Sequence, residues 1–174
     1  MEILYDEPLD KYTSIKIGGI AKKLYVPNNK DEVIELMKQL SGKEYYIIGG
    51  GSNLLINDKK VFDNVINVKK FDKTITNLGN GVYYVGASVR LQSLINAINK
   101  DGYGGIEYLY SVPGLVGGAI VMNAGRGKKY NLSISDYLIN VHICLNGDIK
   151  VLKKEECTFK YRSSIFKNSN ILIL

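Results

Sequence analysis

Two glycine-rich segments constrain the fold of this chain most, because each follows an apolar run and each leaves several residues without bulky side chains. In the first, IIGGGSNLL, residues Gly49, Gly50 and Gly51 precede Ser52 and Asn53. Three successive residues without a Cβ atom allow the backbone N–H groups to curl into a concave nest that suits an anion. The other interpretation of this segment, taken alone, is a tight glycine-rich turn.

The first segment matches neither of two common phosphate-binding motifs. In a dinucleotide fingerprint, G-x-G-x-x-G, the third glycine would stand where this chain has Leu54, and the following LLINDKK does not open an amphipathic helix. A P-loop requires Gly-Lys-Ser/Thr at a fixed distance, which this segment lacks.

The second segment is YSVPGLVGGAIVMNAG, residues 110–125. It predicts a tight turn at Val112-Pro113-Gly114, a close backbone approach at Gly117-Gly118 and an exit through the small residues Asn123 to Gly125. Two such segments, about 60 residues apart, predict a long ligand with a diphosphate in its middle.

A third segment, CTFKYRSSIFK, places Arg162 between Tyr161 and Ser163 in a strand-like run. One interpretation is an exposed strand charge or a salt-bridge partner. The other is a fixed cation near a reacting carboxylate or enolate, where developing negative charge needs a preorganised donor.

The first part of the chain predicts a small β-α-β unit behind an N-terminal strand. The helix has Asn29 in the capping position and Glu32 where a capping box needs it. The predicted elements are, in order, the strand LYVP, the helix NNKDEVIELMKQL and the strands YYIIGGG and VFDNVINVKKF. They define an expected first subdomain over residues 1–70.

The rest of the chain predicts a second subdomain over residues 71–174, with a mixed or antiparallel sheet and helices, and incomplete. The strand GVYYVGASV leads into a helix that Ser88 caps and Gly102 ends. In YLINVHICLNGDIKVLK, apolar residues alternate from Tyr137 to Leu145, and Asn146-Gly147 favours a type I′ hairpin turn. The last residues, NSNILIL, resemble the opening of a strand. The expected fold class is α+β.

Composition excludes several classes of partner. The 174 residues carry 23 basic and 17 acidic side chains, a net charge of +6 with the histidine neutral, and the lysines are scattered. This balance permits phosphate binding, and we expect no nucleic-acid partner. The N-terminus MEILYDEPLD has no signal-peptide pattern and no run approaches the roughly 20 apolar residues of a membrane span, so a cytoplasmic protein is expected. Two cysteines suggest neither a disulfide framework nor a metal site.

Four motifs together resemble the UDP-N-acetylenolpyruvoylglucosamine reductase family, the flavoenzymes of bacterial cell-wall synthesis also called UDP-N-acetylmuramate dehydrogenases. In this chain they read YTSIKIGGIAKKLYVP, IIGGGSNLLI, SVPGLVGGAIVMNAG and EECTFKYRSSIFK, in the family's order and at similar spacing over residues 12–167. The resemblance implies the two-subdomain FAD-binding fold of the vanillyl-alcohol oxidase type. It also implies FAD and NADPH as cofactors and a UDP-sugar as substrate.

The resemblance assigns roles to residues of three of the four motifs. Arg162 matches a catalytic arginine and Tyr161 its neighbour near the flavin, while Gly49, Gly50, Gly51, Ser52 and Asn53 match the loop that holds the cofactor's diphosphate. The segment along the rest of the cofactor corresponds to Val112, Pro113, Gly114, Gly117, Gly118, Asn123 and Gly125.

The resemblance also has gaps. Family members are longer, and their third, substrate-binding domain supplies a serine proton donor and a glutamate that these residues do not place. Leu115 stands where a small hydroxylated residue is common, and NAGRGKK puts Arg126, Lys128 and Lys129 where small or aromatic residues and an acid are usual. Three hypotheses stay open: a truncated FAD-binding portion of the reductase, a non-catalytic FAD-binding protein, and another oxidoreductase of the same flavoprotein fold.

Overall fold

Small β-sheets and short helices alternate along the chain in a computed structural model that describes residues 1–126 and 130–174. Lys128 and Lys129, which the sequence placed beside the second glycine segment, lie outside these described residues. Mixed helix and sheet content confirms the predicted α+β class.

The first sheet has four strands in the order β1-β2-β4-β3. The β2–β4 and β3–β4 pairs are parallel, which confirms the β-α-β unit, whereas β1 pairs antiparallel with β2 and was not predicted. Parallel pairing places the end of β3, and the glycine segment that follows it, at the carboxyl edge of the sheet. The elements are β1 (Glu2–Pro8), β2 (Ile20–Val26), α1 (Lys30–Gln39), β3 (Tyr46–Ile48) and β4 (Val61–Asn67).

Helix α1 begins as predicted at Asn29, whose Oδ1 accepts a hydrogen bond from the Glu32 N–H at 2.9 Å. The predicted capping box is wrong. The Glu32 carboxylate accepts instead from the Asn28 N–H at 2.8 Å and from the amino group of Met1 at 2.5 Å. It therefore fixes the residue before the cap and the chain's first residue to the start of the helix.

Two more sheets follow. One is the hairpin of β5 and β6, and the other has the order β8-β7-β9 with antiparallel pairs. Strand β9 confirms the predicted strand opening, and positive φ angles at Asn146 (53°) and Gly147 (89°) confirm the type I′ turn. Tyr137 and Ile139 precede the strand and are 46% and 63% exposed, so the hairpin is shorter than predicted. The elements are β5 (Ile75–Gly79), β6 (Val82–Val85), α2 (Leu91–Lys100), α3 (Val116–Val121), β7 (Asn140–Leu145), β8 (Asp148–Lys153) and β9 (Leu172–Ile173).

Helix α2 ends at Gly102 as predicted, with φ at 83°, but it is not capped by Ser88. Arg90 holds the N-cap position without a side-chain hydrogen bond. The Ser88 hydroxyl lies deeper, where it donates to the Val68 carbonyl at 2.5 Å and accepts from the Asp72 N–H at 3.3 Å. Ser88 thus joins the end of the first sheet to the segment that leads into β5.

The two faces of the first sheet pack into different cores. One face meets α1 and joins the main core, which continues through α2 and α3 to Leu174. The other face buries a smaller cluster that includes Leu9, Leu24 and Val65. Because the main core contains residues from both predicted subdomains, the two halves pack together; their division near residue 70 stays a prediction.

Candidate functional site

The two glycine-rich segments lie in direct contact. The Ser52 hydroxyl donates a hydrogen bond of 2.7 Å to the carbonyl of Pro113. A Cβ atom placed on Gly50 would lie 3.5 Å from the Cα of Gly114, and one placed on Gly114 would lie 3.2 Å from the Ser52 Oγ. Segments about 60 residues apart in sequence therefore form one side-chain-poor surface.

The N–H groups of the first segment are available to a ligand. In the part of the chain that the structure describes, the backbone N–H groups of residues 49–53 donate to no protein acceptor. The segment turns at Gly51, whose φ of 67° is left-handed and whose carbonyl accepts from the Ser14 N–H at 3.0 Å. Free amide donors beside a left-handed turn are the arrangement that binds anions.

The second segment uses its amides differently. Residues 116–121 form helix α3, which the sequence did not predict, and its first N–H groups are bound to the protein: Val116 to the Val89 carbonyl at 2.8 Å and Gly117 to the Ala87 carbonyl at 3.0 Å. Leu115 occupies the N-cap position without a side-chain hydrogen bond, where a small hydroxylated residue would cap the helix. The predicted close approach at Gly117 is thus an approach of protein to protein.

A cleft of about 430 Å³ opens beside the first glycine segment. Gly49 and Gly50 form part of its wall, together with the buried polar residues Thr13 and Asn67. Its lining is basic, with the lysines Lys11, Lys16, Lys69 and Lys70 and the acid Glu2. Two of these lysines are ion-paired, Lys70 with Glu2 at 3.5 Å and Lys11 with Glu7 at 3.2 Å. Sequence reasoning missed these lysines because they are scattered along the chain, and the net charge was their only signal.

Tyr12 is a neutral wall of the same cleft. Burial, and then the Glu7 carboxylate that accepts its hydroxyl hydrogen bond at 3.1 Å, raise the pKa of Tyr12 to about 12. The positive charge of the cleft at neutral pH therefore comes from its lysines.

Arg162 lies on a tight turn, so the predicted strand over residues 157–167 is wrong. Lys160 and Ser163 exchange two backbone hydrogen bonds of 3.0 and 3.1 Å, which leaves Tyr161 and Arg162 at the tip of a two-residue turn. Arg162 has a left-handed φ of 55°, and its Nη2 donates to the Gly125 carbonyl at 2.7 Å. Within residues 1–126 and 130–174 no carboxylate lies at ion-pair distance from its guanidinium, so the salt-bridge interpretation has no partner there.

A second cleft, of about 250 Å³, brings together four of the predicted site residues: Asn123, Gly125, Tyr161 and Arg162. Tyr161 is 58% exposed, and the Arg162 guanidinium carbon lies 5.6 Å from the centre of its ring. Sequence reasoning missed four other lining residues because the segment NLSIS carries no recognised motif: these are Asn131, Leu132, Ser133 and Ser135. Phe159 and Lys160 also line the cleft; they lie in the arginine segment but were not singled out there.

Helix α3 links the two places. The contact between the glycine segments lies just before its first residue, and the second cleft begins just after its last. A helix of six residues is about 9 Å long at 1.5 Å per residue. The contact between the glycine segments and the arginine cleft therefore lie at opposite ends of one short helix.

Membrane-spanning helices and clusters of metal-binding side chains were both sought among the described residues. Across ranges 1–126 and 130–174, no helix is both long and apolar enough to cross a bilayer. The same residues contain no group of three or more His, Cys, Asp or Glu side chains that could hold a metal ion. Cys144 and Cys157 are both buried, and burial raises the pKa of each thiol.

The fold and the amide-lined surface define a flavin-nucleotide-binding domain, and comparison with known proteins agrees. The family described as "FAD binding domain" matches residues 21–153, and the chain belongs to that family. A cholesterol oxidase structure, at 16% identity and a TM-score of 0.58 over 78% of this chain, shares the fold. The FAD-binding flavoprotein fold predicted from the sequence is thus confirmed.

Two curated relatives and one crystal structure indicate a particular protein within this class. UDP-N-acetylenolpyruvoylglucosamine reductases of Prochlorococcus marinus and Clostridium kluyveri are 36% and 37% identical to it, over 95% and 99% of its length. The crystal structure of the Thermus caldophilus enzyme matches 99% of the chain at 29% identity with a TM-score of 0.74. The predicted family resemblance is therefore confirmed, while the chain spans only 56% of each of those two curated relatives and 59% of that structure.

Proposed function

We propose that this chain is the FAD-binding portion of a flavin-dependent reductase that converts UDP-N-acetylglucosamine enolpyruvate into UDP-N-acetylmuramate with NADPH. The observation that carries the proposal is the contact between the two glycine segments, sealed by the Ser52–Pro113 hydrogen bond with the amides of residues 49–53 unused. The names of the relatives support the substrate and the reduction, while NADPH as the reductant and a role in peptidoglycan precursor synthesis are what the family resemblance implies. Cytoplasmic location and a contribution to cell shape follow from that role.

The residues present fit a dinucleotide. The N–H groups of Gly49 to Asn53 would hold the diphosphate, and the neighbouring lysine cleft would supply positive charge to its phosphate oxygens. A Cβ on Gly49 or Gly50 would make only ordinary contacts with the protein, at 3.7 and 3.5 Å, so packing does not require glycine at these two positions. The missing Cβ atoms instead leave room for a ligand to approach the backbone closely. Along the rest of the cofactor we place Val112, Pro113, Gly114, Gly117, Gly118, Asn123, Gly125 and Tyr161.

FAD, when bound, supplies hydride transfer from NADPH to the enolpyruvyl double bond. Arg162 would act on the substrate, because its guanidinium is permanently charged and presents donors in a planar fork that matches a carboxylate. One guanidinium nitrogen is anchored to the Gly125 carbonyl at 2.7 Å, which fixes the orientation of the fork beside the second cleft. Negative charge that grows on the carboxylate–enol system would be stabilised there.

The test begins with the purified chain and added FAD. We expect yellow protein and a melting temperature that rises with FAD concentration, because a ligand that binds only the folded state stabilises it. Colourless protein whose melting temperature ignores FAD would contradict the proposal and both flavoprotein alternatives.

A second measurement separates the hypotheses. NADPH oxidation that depends on the enolpyruvyl UDP-sugar supports the reductase, and Arg162→Gln should lower its rate while FAD binding persists; Arg90→Gln, an exposed arginine before α2, is the matched control. FAD binding without NADPH oxidation identifies an incomplete catalytic unit or a non-catalytic flavoprotein. Activity on a different substrate would identify another oxidoreductase of this fold.

A further inference from the structure

We propose that the side chain of Asn123 positions Arg162: its amide holds the arginine turn, so that only the backbone of Asn123 is left to face the cofactor. Asn123 is only 7% exposed, and both ends of its amide are bound to protein. Its Nδ2 donates to the Lys160 carbonyl at 3.1 Å, and its Oδ1 accepts from the Ser135 N–H at 3.3 Å.

The first of these hydrogen bonds reaches the base of the arginine turn. The Lys160 carbonyl already accepts from the Ser163 N–H at 3.1 Å, the bond that closes the turn. The same carbonyl accepts from Asn123, so the exit of α3 and the turn share one acceptor. At the tip, Arg162 Nη2 bonds to the carbonyl of Gly125, two residues after Asn123. The turn is therefore fixed at base and tip by one short stretch of chain.

The backbone explains why asparagine suits this position. Asn123 has a left-handed φ of 42° immediately after α3, a conformation that asparagine and aspartate tolerate better than other residues with a Cβ. Glycine would adopt it but would offer no side-chain bond. Aspartate would keep the acceptor for Ser135 and lose the donor for Lys160, so only asparagine meets all three requirements.

The first experiment needs no cofactor and therefore does not depend on the proposed function. In the full 174-residue chain, Asn123→Asp should speed hydrogen exchange of the Ser163 amide at least about tenfold and shift the Arg162 Nε–Hε resonance, because the turn loses its lower anchor. Asn131→Asp is the matched control: it makes the same chemical change in the same cleft at another left-handed asparagine. Exchange within twofold of wild type in Asn123→Asp would overturn the inference.

The second experiment detects an effect on the arginine that a purely structural residue would not produce, and it rests on the proposed function because it needs bound FAD. Arg162→Gln should lower the reduction potential of the flavin by removing a cation. Asn123→Asp should lower it too, beyond the shift that the added carboxylate of Asn131→Asp causes. In the double variant Asn123→Asp/Arg162→Gln, the reduction potential should fall by less than the sum of the two single-variant shifts, because no cation is left for residue 123 to position.

The two experiments fail separately. Strictly additive potential shifts, or no shift beyond the Asn131→Asp control, would overturn positioning while FAD binding stands. A chain that loosens its turn in Asn123→Asp but never binds FAD would overturn the proposed function while the role of Asn123 in holding Arg162 stands.

Discussion

Gly51 of the first glycine segment and Gly118 of the second differ in how closely protein atoms surround them. At Gly51 a Cβ atom would lie 1.8 Å from the Tyr12 carbonyl oxygen, and φ is left-handed at 67°. At Gly118 a Cβ would meet nothing within 4 Å. Packing against protein atoms therefore explains why residue 51 is a glycine, but it does not explain why residue 118 is one. Gly118 also lies in a helix, where glycine is about 1 kcal/mol less favourable than alanine.

This difference separates two reasons for a glycine. Gly51 and Gly117 are needed because protein atoms crowd them; a Cβ on Gly117 would lie 2.9 Å from the Cβ of Ala87. Gly49, Gly50 and Gly118 have room for a methyl group. At an open glycine that costs helix stability, the proposed ligand rather than the fold would account for the missing side chain.

The largest expected effect is on the fold. Gly51→Ala should lower the free energy of unfolding by about 3 kcal/mol or more, because the new methyl group overlaps the Tyr12 carbonyl and the residue must keep a left-handed backbone. Chemical denaturation of the FAD-free chain measures it. A change below about 1 kcal/mol would mean that the loop relaxes easily and would remove the contrast with Gly118.

The second prediction concerns the junction that supports the second segment. Asp72, 6% exposed, pairs with Lys30 at 3.0 Å, and Tyr84 contacts both side chains. The backbone carbonyl of Asp72 accepts a hydrogen bond from the Ser88 N–H at 2.9 Å. Ser88 follows Ala87, on which Gly117 packs. Burial alone would raise the pKa of Asp72, but the Thr74 N–H and Lys30 outweigh it and hold the pKa below its usual value.

Asp72→Asn should therefore cost about 2 kcal/mol at neutral pH, since it leaves Lys30 without its buried partner. A carboxyl group with a depressed folded-state pKa stabilises the fold above its unfolded pKa of about 4 and loses that contribution as pH falls through the folded pKa. Denaturation curves should show the gap between the two proteins closing below about pH 4. A gap that stays constant down to acid pH would show that the charge is not the cause.

The sequence predicted more of the structure of the first glycine segment than of the second. From the motif GGGSN, either an anion-binding nest or a tight turn was expected after the strand, and the structure has a left-handed turn whose amides donate to no acceptor in the described residues. In the second segment the sequence did not predict helix α3, because six residues that include two glycines have neither the length nor the helix propensity that sequence patterns detect. Tertiary contacts to the 87–89 backbone make that helix possible.

The strand predicted around Arg162 was wrong for a related reason. Residues 157–167 are rich in aromatic and β-branched side chains, which favour a strand. The observed turn depends on Asn123 and Gly125, more than 30 residues away, which hold it at 3.1 and 2.7 Å. Local propensity does not include such contacts; the segment alone left two interpretations of Arg162 open, and the resemblance favoured the functional one.

The third prediction tests the open glycine directly. Gly118→Ala should leave the FAD-free chain as stable as wild type or stabilise it by up to about 1 kcal/mol, because alanine is the better helix former. It should weaken FAD binding about tenfold, or about 1.4 kcal/mol, if the cofactor passes over α3. Titration of the chain with FAD measures the affinity, and Ser93→Ala on the exposed face of α2 is the control for an alanine in a helix. Unchanged affinity would leave Gly118 unexplained and remove it from the proposed site.

The smallest effect is expected where the two segments touch. Ser52→Ala removes the 2.7 Å hydrogen bond to the Pro113 carbonyl, a half-exposed contact, and should cost at most about 1 kcal/mol of stability because water replaces the lost donor. FAD affinity should fall a few-fold, since the two surfaces are then less firmly held in the geometry that the ligand needs. Ser41→Ala, an exposed serine after α1, should change neither quantity. If Ser52→Ala lowers stability but not affinity, the hydrogen bond serves the fold as Gly51 does; if it lowers affinity alone, Ser52 belongs with Gly118 among the residues that only a ligand explains.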